Sequence, residues 1–327
     1  MYKSISINSI FTETLQRMKH LLVYSIFIAA LLLFSNCNST EKNNSIKPNI
    51  EPVAENGVPR NLSSEFKDYW YAGNAEITSY KLTQERYGEL RDGTAVTIFV
   101  TEDFLPKEQV KADTYSEENL PILKLNKTKK FITGIYPYSI MTSAFNPLAT
   151  KDHALKVSNS VQEWCGQTYL QLNNRKQFEL IGHSYFQSEG DIEMTLDKTW
   201  LEDELWNLIR INPEELPTGD VMVIPAFEFL RLRHKEPSPY KAYATLTQRD
   251  SLTSYAVEYP ELKRKLTIYF TSTFPFEIEK WEETNAAKDR DTLNNTTTAV
   301  KLKRIKSAYW QKNSNADLFL RDSLQLK

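Results

Sequence analysis

The chain has 327 residues, a net charge of −2 at pH 7 and two cysteines. This length suits one large domain or two modest ones. The near-neutral charge lacks the excess of basic residues that is typical of nucleic-acid-binding proteins. We therefore expect no nucleic-acid partner. Aromatic residues make up 12% of the chain and glycines number only 9, a composition that favours pleated, half-buried strands.

An apolar stretch near the start of the chain predicts an export signal. Two basic residues precede a run over 21–34 that is apolar apart from one Tyr and one Ser. The run is shorter than the roughly 20 apolar residues that a helix needs to cross a bilayer. We therefore predict a cleavable signal peptide over residues 1–36, with translation starting at Met1 or at Met18.

The apolar run ends in the sequence LFSNC, whose last residue is Cys37. This pattern resembles a bacterial lipobox, although Asn36 replaces the usual small residue and Phe34 is large. In lipobox proteins the cysteine becomes the first mature residue and carries diacylglycerol on its thiol and an acyl chain such as palmitate on its amine. Two or three acyl chains anchor a protein stably, because each buried methylene contributes about 0.8 kcal/mol. The resemblance implies a lipid bilayer as partner through Cys37; a cleaved or uncleaved signal with an incidental cysteine is the alternative.

Residues 37–61 are rich in Asn, Ser and Pro and contain few apolar side chains. Such a segment cannot bury enough surface to order itself, so we predict a flexible tether. Only Glu41 closely follows Cys37, and a clear acidic surface-export tag is therefore lacking. We predict a cell-envelope protein that faces the periplasm rather than the cell surface.

The remaining body, residues 62–327, is predicted to consist mainly of β-strands. Val96 and Ile98 alternate with residues of the opposite face, and similar alternation recurs along the body. The sequence RDG at 91–93 predicts a hairpin turn, and the polar residues at 126–130 predict a second bend. The alternating runs amount to roughly ten to thirteen strands.

One segment, TWLEDELWNLIRIN at 199–212, has helical rather than alternating spacing. Thr199 is predicted as its N-cap, with Glu202 completing a capping box. We expect the adjacent carboxylates of Glu202 and Asp203 to lie on a solvated face. This helix would plug the end of a sheet or join two sheets.

These elements predict a mainly β fold, a curved antiparallel meander or open barrel with one central helix. The segments 62–198 and 213–327 form one body or two sub-domains; the sequence leaves both possibilities open. The polar stretch over 284–298 is predicted to be a hairpin loop.

The sequence GHSYF at 182–186 is the sharpest candidate for catalysis. It nearly matches the G-x-S-x-G elbow, with Ser184 as nucleophile and His183 or His234 as base. The elbow requires a small residue two positions after the serine and then a helix, whereas Phe186 and a turn-like QSEGD follow here. We favour the alternative, a strand without a catalytic serine.

The other reactive residues give no recognisable site. His153, His183 and His234 lack the spacing of a helical metal site, and no cysteine pair accompanies them. Cys165 lies beside a predicted turn with no visible base. Phosphate-binding loops are missing from the sequence as well. We predict no metal and no cofactor beyond the acyl groups on Cys37.

Aromatic clusters provide a candidate ligand site. Trp70, Trp164 and Trp281, together with His183, are candidates to line a cavity for a lipophilic or sugar ligand. Packing in the hydrophobic core explains the same aromatic residues equally well.

Three stretches carry a resemblance to a known group: FKDYWYAGNAEITSYKLTQERYGELRDGTAVTIFVTEDFLP, YPYSIM and VQEWCGQTYLQLNN. Together they resemble uncharacterised lipoproteins of Bacteroidetes-type bacteria, over most of the body from about Glu65. Some members bear the label septum formation inhibitor Maf. The pyrophosphatases of that name are cytoplasmic and begin with an S-x-S-P-R-R motif that this chain lacks. The resemblance therefore implies an envelope lipoprotein and supplies no catalytic residues.

The leading hypothesis is a non-enzymatic, membrane-anchored envelope lipoprotein that binds a ligand or an envelope partner protein. A periplasmic serine hydrolase that uses Ser184 is one alternative. A structural or assembly factor of the envelope without a small ligand is another.

Overall fold

The computed structural model describes residues 57–285 and 296–326. The predicted signal peptide, Cys37 and nearly all of the predicted tether lie outside the described residues, as does most of the predicted loop over 284–298. The described residues form one compact unit. A single sheet runs through both halves of the body.

Sixteen strands are described, and all of them belong to this sheet. They are β1 (Ala75–Arg86), β2 (Glu89–Leu105), β3 (Val110–Lys111), β4 (Leu120–Thr133), β5 (Tyr136–Pro147), β6 (Lys156–Glu163), β7 (Gly166–Asn174), β8 (Phe178–Ser184), β9 (Ile192–Leu196), β10 (Trp200–Leu201), β11 (Gly219–Ile224), β12 (Tyr240–Arg249), β13 (Leu252–Tyr259), β14 (Arg264–Thr271), β15 (Ile278–Thr284) and β16 (Thr296–Ser307).

The sheet is a meander in which most neighbours along the chain are also neighbours in the sheet. Its order is β10-β11-β12-β13-β14-β15-β16-β1-β2-β4-β5-β6-β7-β8-β9, with β3 paired to β2. All described pairings are antiparallel except that of β10 with β11. Strand β1 lies between β16 and β2, so the two halves of the chain extend the sheet in opposite directions. The predicted antiparallel meander is confirmed.

The two edge strands of the sheet are consecutive in the chain. Strand β9 ends at Leu196 and β10 begins at Trp200, so only residues 197–199 connect the two margins. If the sheet were flat, with about 4.8 Å between strands, its margins would lie about 67 Å apart. The sheet therefore curls round on itself. It does not close, because β9 and β10 do not pair with each other.

Four α-helices occur among the described residues. They are α1 (Ser64–Trp70), α2 (Glu202–Ile211), α3 (Phe227–Arg233) and α4 (Phe319–Ser323). Helix α2 is the predicted central helix, and all ten of its residues are buried inside the curled sheet. Within the described ranges, no helix combines the length and the apolar character needed to cross a membrane.

The start of α2 differs from the prediction. Thr199 is not its N-cap; the Thr199 hydroxyl instead donates to the carbonyl of Met222 over 2.7 Å, beside the pairing of β10 with β11. The helix begins at Glu202, and the N–H of Leu201 donates to the Glu204 carboxylate over 3.0 Å. The predicted cap is wrong because the chain forms the short strand β10 immediately before the helix.

The surroundings of α2 also differ from the prediction. Glu202 and Asp203 do not face solvent, because the sheet encloses the helix and leaves these residues 1% and 3% exposed. Trp206 packs edge-on against Trp281 of β15, with 5.1 Å between ring centroids. Burial of each large apolar side chain contributes about 1.5–3 kcal/mol, so these contacts hold the helix against the sheet.

Two predicted hairpin bends are wrong. The β1–β2 turn consists of Tyr87 and Gly88, both at positive φ, and the RDG sequence at 91–93 lies inside β2. The residues at 126–130 likewise lie inside β4, and the chain turns at 134–135 instead. Two-residue hairpin turns are selected by left-handed backbone conformations, and Tyr is an unusual residue in that conformation.

Four hairpin turns lie side by side at one end of the sheet, which we call the turn end. They occupy residues 87–88, 134–135, 164–165 and 185–191. The pairings of Leu82 with Gly93, Gly93 with Phe131 and Phe131 with Tyr138 bring the first two turns level with each other. Helix α3 lies at the same end, since it connects the end of β11 to the start of β12.

Candidate functional site

A cleft opens at the turn end, between the C-terminal end of α3 and strands β7 to β9. Its volume is about 440 Å³. Leu170, Ile192 and Leu230 contribute apolar surface, and Thr168 and Glu189 contribute polar groups. A shallower groove of about 560 Å³ adjoins it and shares part of its lining. Apolar walls with a few fixed polar groups are typical of ligand-binding sites.

The carboxylate of Glu189 organises the polar side of the cleft. One of its oxygens accepts from Arg231 Nη1 over 3.0 Å and from His234 Nδ1 over 2.7 Å. The other oxygen accepts from the Ser184 hydroxyl over 2.8 Å. Arg231 also donates through Nε to the Thr168 hydroxyl over 3.1 Å. These bonds tie the end of α3 to the turn between β8 and β9.

Local hydrogen bonds shape that turn. The Ser184 hydroxyl accepts from the N–H of Phe186 over 3.2 Å, while the N–H of Ser184 donates to the Asp191 carboxylate over 3.2 Å. The guanidinium of Arg231 lies 4.6 Å from the centre of the Phe186 ring. Short polar side chains commonly satisfy backbone groups of turns in this way. The turn is therefore held by its own residues as well as by α3.

The geometry around Ser184 does not match a catalytic triad. The serine hydroxyl donates to Glu189 rather than to an imidazole. His234 lies on the far side of that carboxylate, and His183 is paired with Asp191, with 3.4 Å between Nδ1 and Oδ2. Nucleophilic activation of serine requires a base that takes the hydroxyl proton. Among the described residues no histidine lies in that position.

The four residues predicted to line a cavity do not come together. Trp70 and Trp281 are fully buried in the core. Trp70 packs against Phe99, with 6.2 Å between ring centroids. Trp164 is 68% exposed at the turn between β6 and β7. His183 alone of the four lines the cleft and the adjoining groove.

A buried ionic cluster lies on the inner side of α3. Arg264 donates to Glu202 Oε1 over 2.6 Å, and Lys129 Nζ lies 2.8 Å from both Glu228 and Glu283. Burial lowers the pKa of Lys129, but the two carboxylates raise it by more, so its pKa is raised and the ammonium stays charged. Charges in such an interior are tolerated only when they are paired and hydrogen-bonded.

Sequence reasoning missed this cluster because its members come from five separate elements. One signal was present: Lys127 and Lys129 lie on the same face of β4 as the core residues Leu125 and Phe131. Residues at alternate positions of a strand share a face. Two lysines on an inward face therefore indicate buried carboxylate partners.

Asp203 is a second unusual group of the interior. Its Oδ2 accepts from the N–H of Phe227, the first residue of α3, over 2.9 Å, while its Oδ1 has no hydrogen-bond partner among the residues that the structure describes. Burial raises the pKa of Asp203 to about 6, although the nearby Lys127 and the Phe227 N–H act in the opposite direction. Asp203 therefore links the start of α2 to the start of α3 through a carboxyl group that titrates near neutral pH.

The other reactive residues lie apart from the cleft or give no site. His153 Nδ1 lies 2.8 Å from Glu204 at the start of α2. Burial lowers the pKa of His153, but the Glu204 carboxylate raises it by more, and the net shift is upward. Cys165 is exposed, and its hydrogen bond and charge interaction with Glu163 raise the pKa of its thiol. The described part of the chain contains no group of three or more potential metal ligands.

Comparisons of the chain with models of protein families, with curated proteins and with solved structures found no match. The fold and the cleft are therefore the basis for the functional proposal.

Proposed function

We propose that this chain is a lipid-anchored protein of the cell envelope whose body binds a ligand in the cleft without performing chemistry on it. The LFSNC pattern at Cys37 supports the anchor. The observation that carries the binding role is the Glu189 carboxylate. It bonds to Ser184, Arg231 and His234 at once, and so fixes a polar edge beside the apolar wall of the cleft.

The chemistry of the cleft indicates the class of ligand. Leu170, Ile192 and Leu230 offer an apolar surface, while the hydroxyl of Thr168 lies among the polar groups of the lining. The charge of Arg231 is already balanced by Glu189, and the lining also carries Lys235 and Glu236, whose charges are opposite. The site therefore does not select for a strongly anionic ligand. A sugar or the hydroxyl-bearing part of a lipophilic molecule combines the apolar face and polar edge that this cleft complements.

Filling the cleft tests the binding role. The Leu170→Trp variant replaces an aliphatic side chain of the lining with a bulky indole ring, and Leu252→Trp is the matched control on an exposed strand residue far from the cleft. Native mass spectrometry of the detergent-purified protein should detect a bound small molecule with the wild type and the control, and lose it with Leu170→Trp. Identical spectra for all three proteins would contradict the proposal.

Fatty-acid labelling tests the anchor independently. Cells that express the chain are grown with an alkyne-bearing fatty acid, and the purified protein is examined by mass spectrometry. We expect acylation at Cys37 and none in the Cys37→Ala variant. An unacylated wild-type protein would remove the anchor from the proposal and leave the cleft unaffected.

Two further experimental outcomes would favour a different function. Modification of Ser184 by a fluorophosphonate probe would favour the hydrolase alternative, against the hydrogen bond to Glu189 described above. Stable co-purification of an envelope protein, with no small molecule bound, would favour a structural or assembly role.

A further inference from the structure

The turn end carries an unusual set of exposed apolar side chains. These side chains are 59–81% exposed and belong to Tyr87, Ile132, Ile135, Trp164 and Tyr185. They occupy four hairpins that are adjacent in the sheet, from β1–β2 to β8–β9. Single exposed apolar residues are common on proteins, but a contiguous group marks an interaction surface. We call this group the aromatic rim.

Ring contacts connect the turns that carry the aromatic rim. The hydroxyls of Tyr87 and Tyr138 lie 2.9 Å apart. Tyr136 lies 5.9 Å from Tyr138 and 6.4 Å from Trp164, measured between ring centroids. These contacts run from the β1–β2 turn across the β4–β5 hairpin to the β6–β7 turn. The exposed rings are therefore held in place rather than scattered independently.

The aromatic rim extends to the β8–β9 turn, where Tyr185 packs against Gly166. A Cβ atom at Gly166 would lie only 2.9 Å from Cδ1 of Tyr185, so the tyrosine ring packs directly on the backbone at this position. Tyr185 in turn lies edge-on to Phe186, with 6.0 Å between ring centroids. The rim thus borders the groove beside the cleft, because Tyr185 belongs to the rim and also lines the groove, together with Gly166.

We infer that the aromatic rim contacts the interface of a lipid bilayer. Trp and Tyr favour the headgroup region, where their rings meet apolar chains and their polar atoms meet water. Ile135 at the tip of the β4–β5 hairpin and Ile132 near the end of β4 add purely apolar side chains, which can enter the bilayer without exposing strand edges. This inference rests on the proposed lipid anchor, which places the body at a membrane.

The length of chain before the body permits this contact. The described chain enters the body at the end opposite the turn end, where Pro59 pairs with Thr150. Twenty peptide units separate Cys37 from Gly57, and they span at most about 70 Å when fully extended. Strand β4 has 14 residues and is about 46 Å long. An anchor at Cys37 can therefore reach the same membrane that the rim contacts.

Cys165 allows a fluorophore to be attached beside the aromatic rim, so that contact with a bilayer can be measured. It is exposed, it follows Trp164 directly, and it is the only cysteine left once Cys37 is acylated. A polarity-sensitive fluorophore is attached to Cys165 of the acylated full-length protein, which is then reconstituted into phosphatidylcholine vesicles. Half of the samples contain lipids with brominated acyl chains, which quench only fluorophores that enter the bilayer.

We expect brominated lipid to quench the fluorescence at least about twofold. The quenching should be the same at about 0.1 M and about 1 M salt, because salt screens surface charges but does not weaken apolar contacts. The Ile132→Ser/Ile135→Ser/Trp164→Ser variant should lose the quenching. The control variant Val110→Ser/Leu252→Ser/Leu318→Ser removes exposed apolar side chains from the opposite end and should retain it.

The outcomes separate the rim from the anchor. Protein that floats with the vesicles but shows no quenching contradicts the rim and leaves the anchor intact. Quenching of a protein that fatty-acid labelling shows to be unacylated supports the rim and contradicts the anchor. Protein that does not float with vesicles contradicts both.

Discussion

Arg210 and Glu76 form a bidentate ion pair in the interior, over 2.5 and 2.7 Å, with each side chain 1% exposed. The pair joins the last turn of α2 to the start of β1, at the end of the sheet opposite the cleft. Arg210 also donates to the carbonyl of Pro275 over 2.9 Å. These directional bonds fix how far α2 extends through the interior.

Breaking this pair should be costly. Burial raises the pKa of Glu76, but Arg210 lowers it by more, so its carboxylate stays ionised when folded. Arg210→Met leaves that charge without its partner, and we expect a loss of about 3–5 kcal/mol in the free energy of unfolding. The double variant Arg210→Met/Glu76→Gln should lose less than Arg210→Met alone. Urea denaturation measures both, and an equal or larger loss in the double variant would contradict the assigned coupling.

Asp203 should make stability depend on pH. Its folded pKa of about 6 lies above the ordinary value, so the fold favours the protonated form. The stabilising contribution of this group is therefore complete only below its ordinary pKa of 3.8, and it is lost as pH rises from there through about 6. The free energy of unfolding of Asp203→Asn, measured relative to that of the wild type, should rise by about 1–2 kcal/mol from pH 5 to pH 8. Urea denaturation at both pH values tests this, and a constant difference would contradict the raised pKa.

Gly93 should be intolerant of a side chain although it lies inside a strand. A Cβ atom there would lie 2.4 Å from the backbone oxygen of Lys130 and 2.9 Å from Cβ of Phe131. Gly93→Ala must displace β2 from β4, and we expect a loss of about 1–3 kcal/mol. The exposed neighbour variant Asp92→Ala should change stability by no more than about 0.5 kcal/mol. Equal thermal stabilities for the two variants would count against the close approach.

Glu189→Gln should loosen the turn beside the cleft. The substitution removes the charge that pairs with Arg231 and weakens the acceptor of the Ser184 hydroxyl bond. We expect a loss of about 1 kcal/mol in stability and faster hydrogen exchange over residues 185–191. The control Glu193→Gln changes an exposed carboxylate on β9 and should leave exchange in this turn as in the wild type.

The general architecture was accessible from the sequence because alternation is a local property. Val96 and Ile98 lie on β2, and the helical spacing over 199–212 marks the buried helix α2. The RDG turn at 91–93 was misplaced because Gly93 is required for close packing rather than for a turn. The true turn at 87–88 depends on a Tyr at positive φ, which no propensity favours.

The cleft and the buried charges were much less accessible. Ser184 was singled out by its neighbours in the sequence, but its partner Glu189 belongs to the following turn, and Glu189 in turn bonds to Arg231 of α3. Whether Glu202 faces solvent depends on the sheet curling round α2, which is set by strands far away in the chain. Contacts between residues that are far apart in the chain leave no periodic pattern in a single sequence.

The three residues between β9 and β10 restrict how this protein can admit a molecule into its interior. Four Cα–Cα steps lead from Leu196 to Trp200, so the sheet margins at this point cannot separate by more than about 14 Å. Widening of the curled sheet is thereby limited, and any large change in internal volume must come from displacement of α2 or α3. A ligand that occupies the core would therefore have to exchange places with a helix, whereas one that remains in the surface cleft would leave the strands where they are.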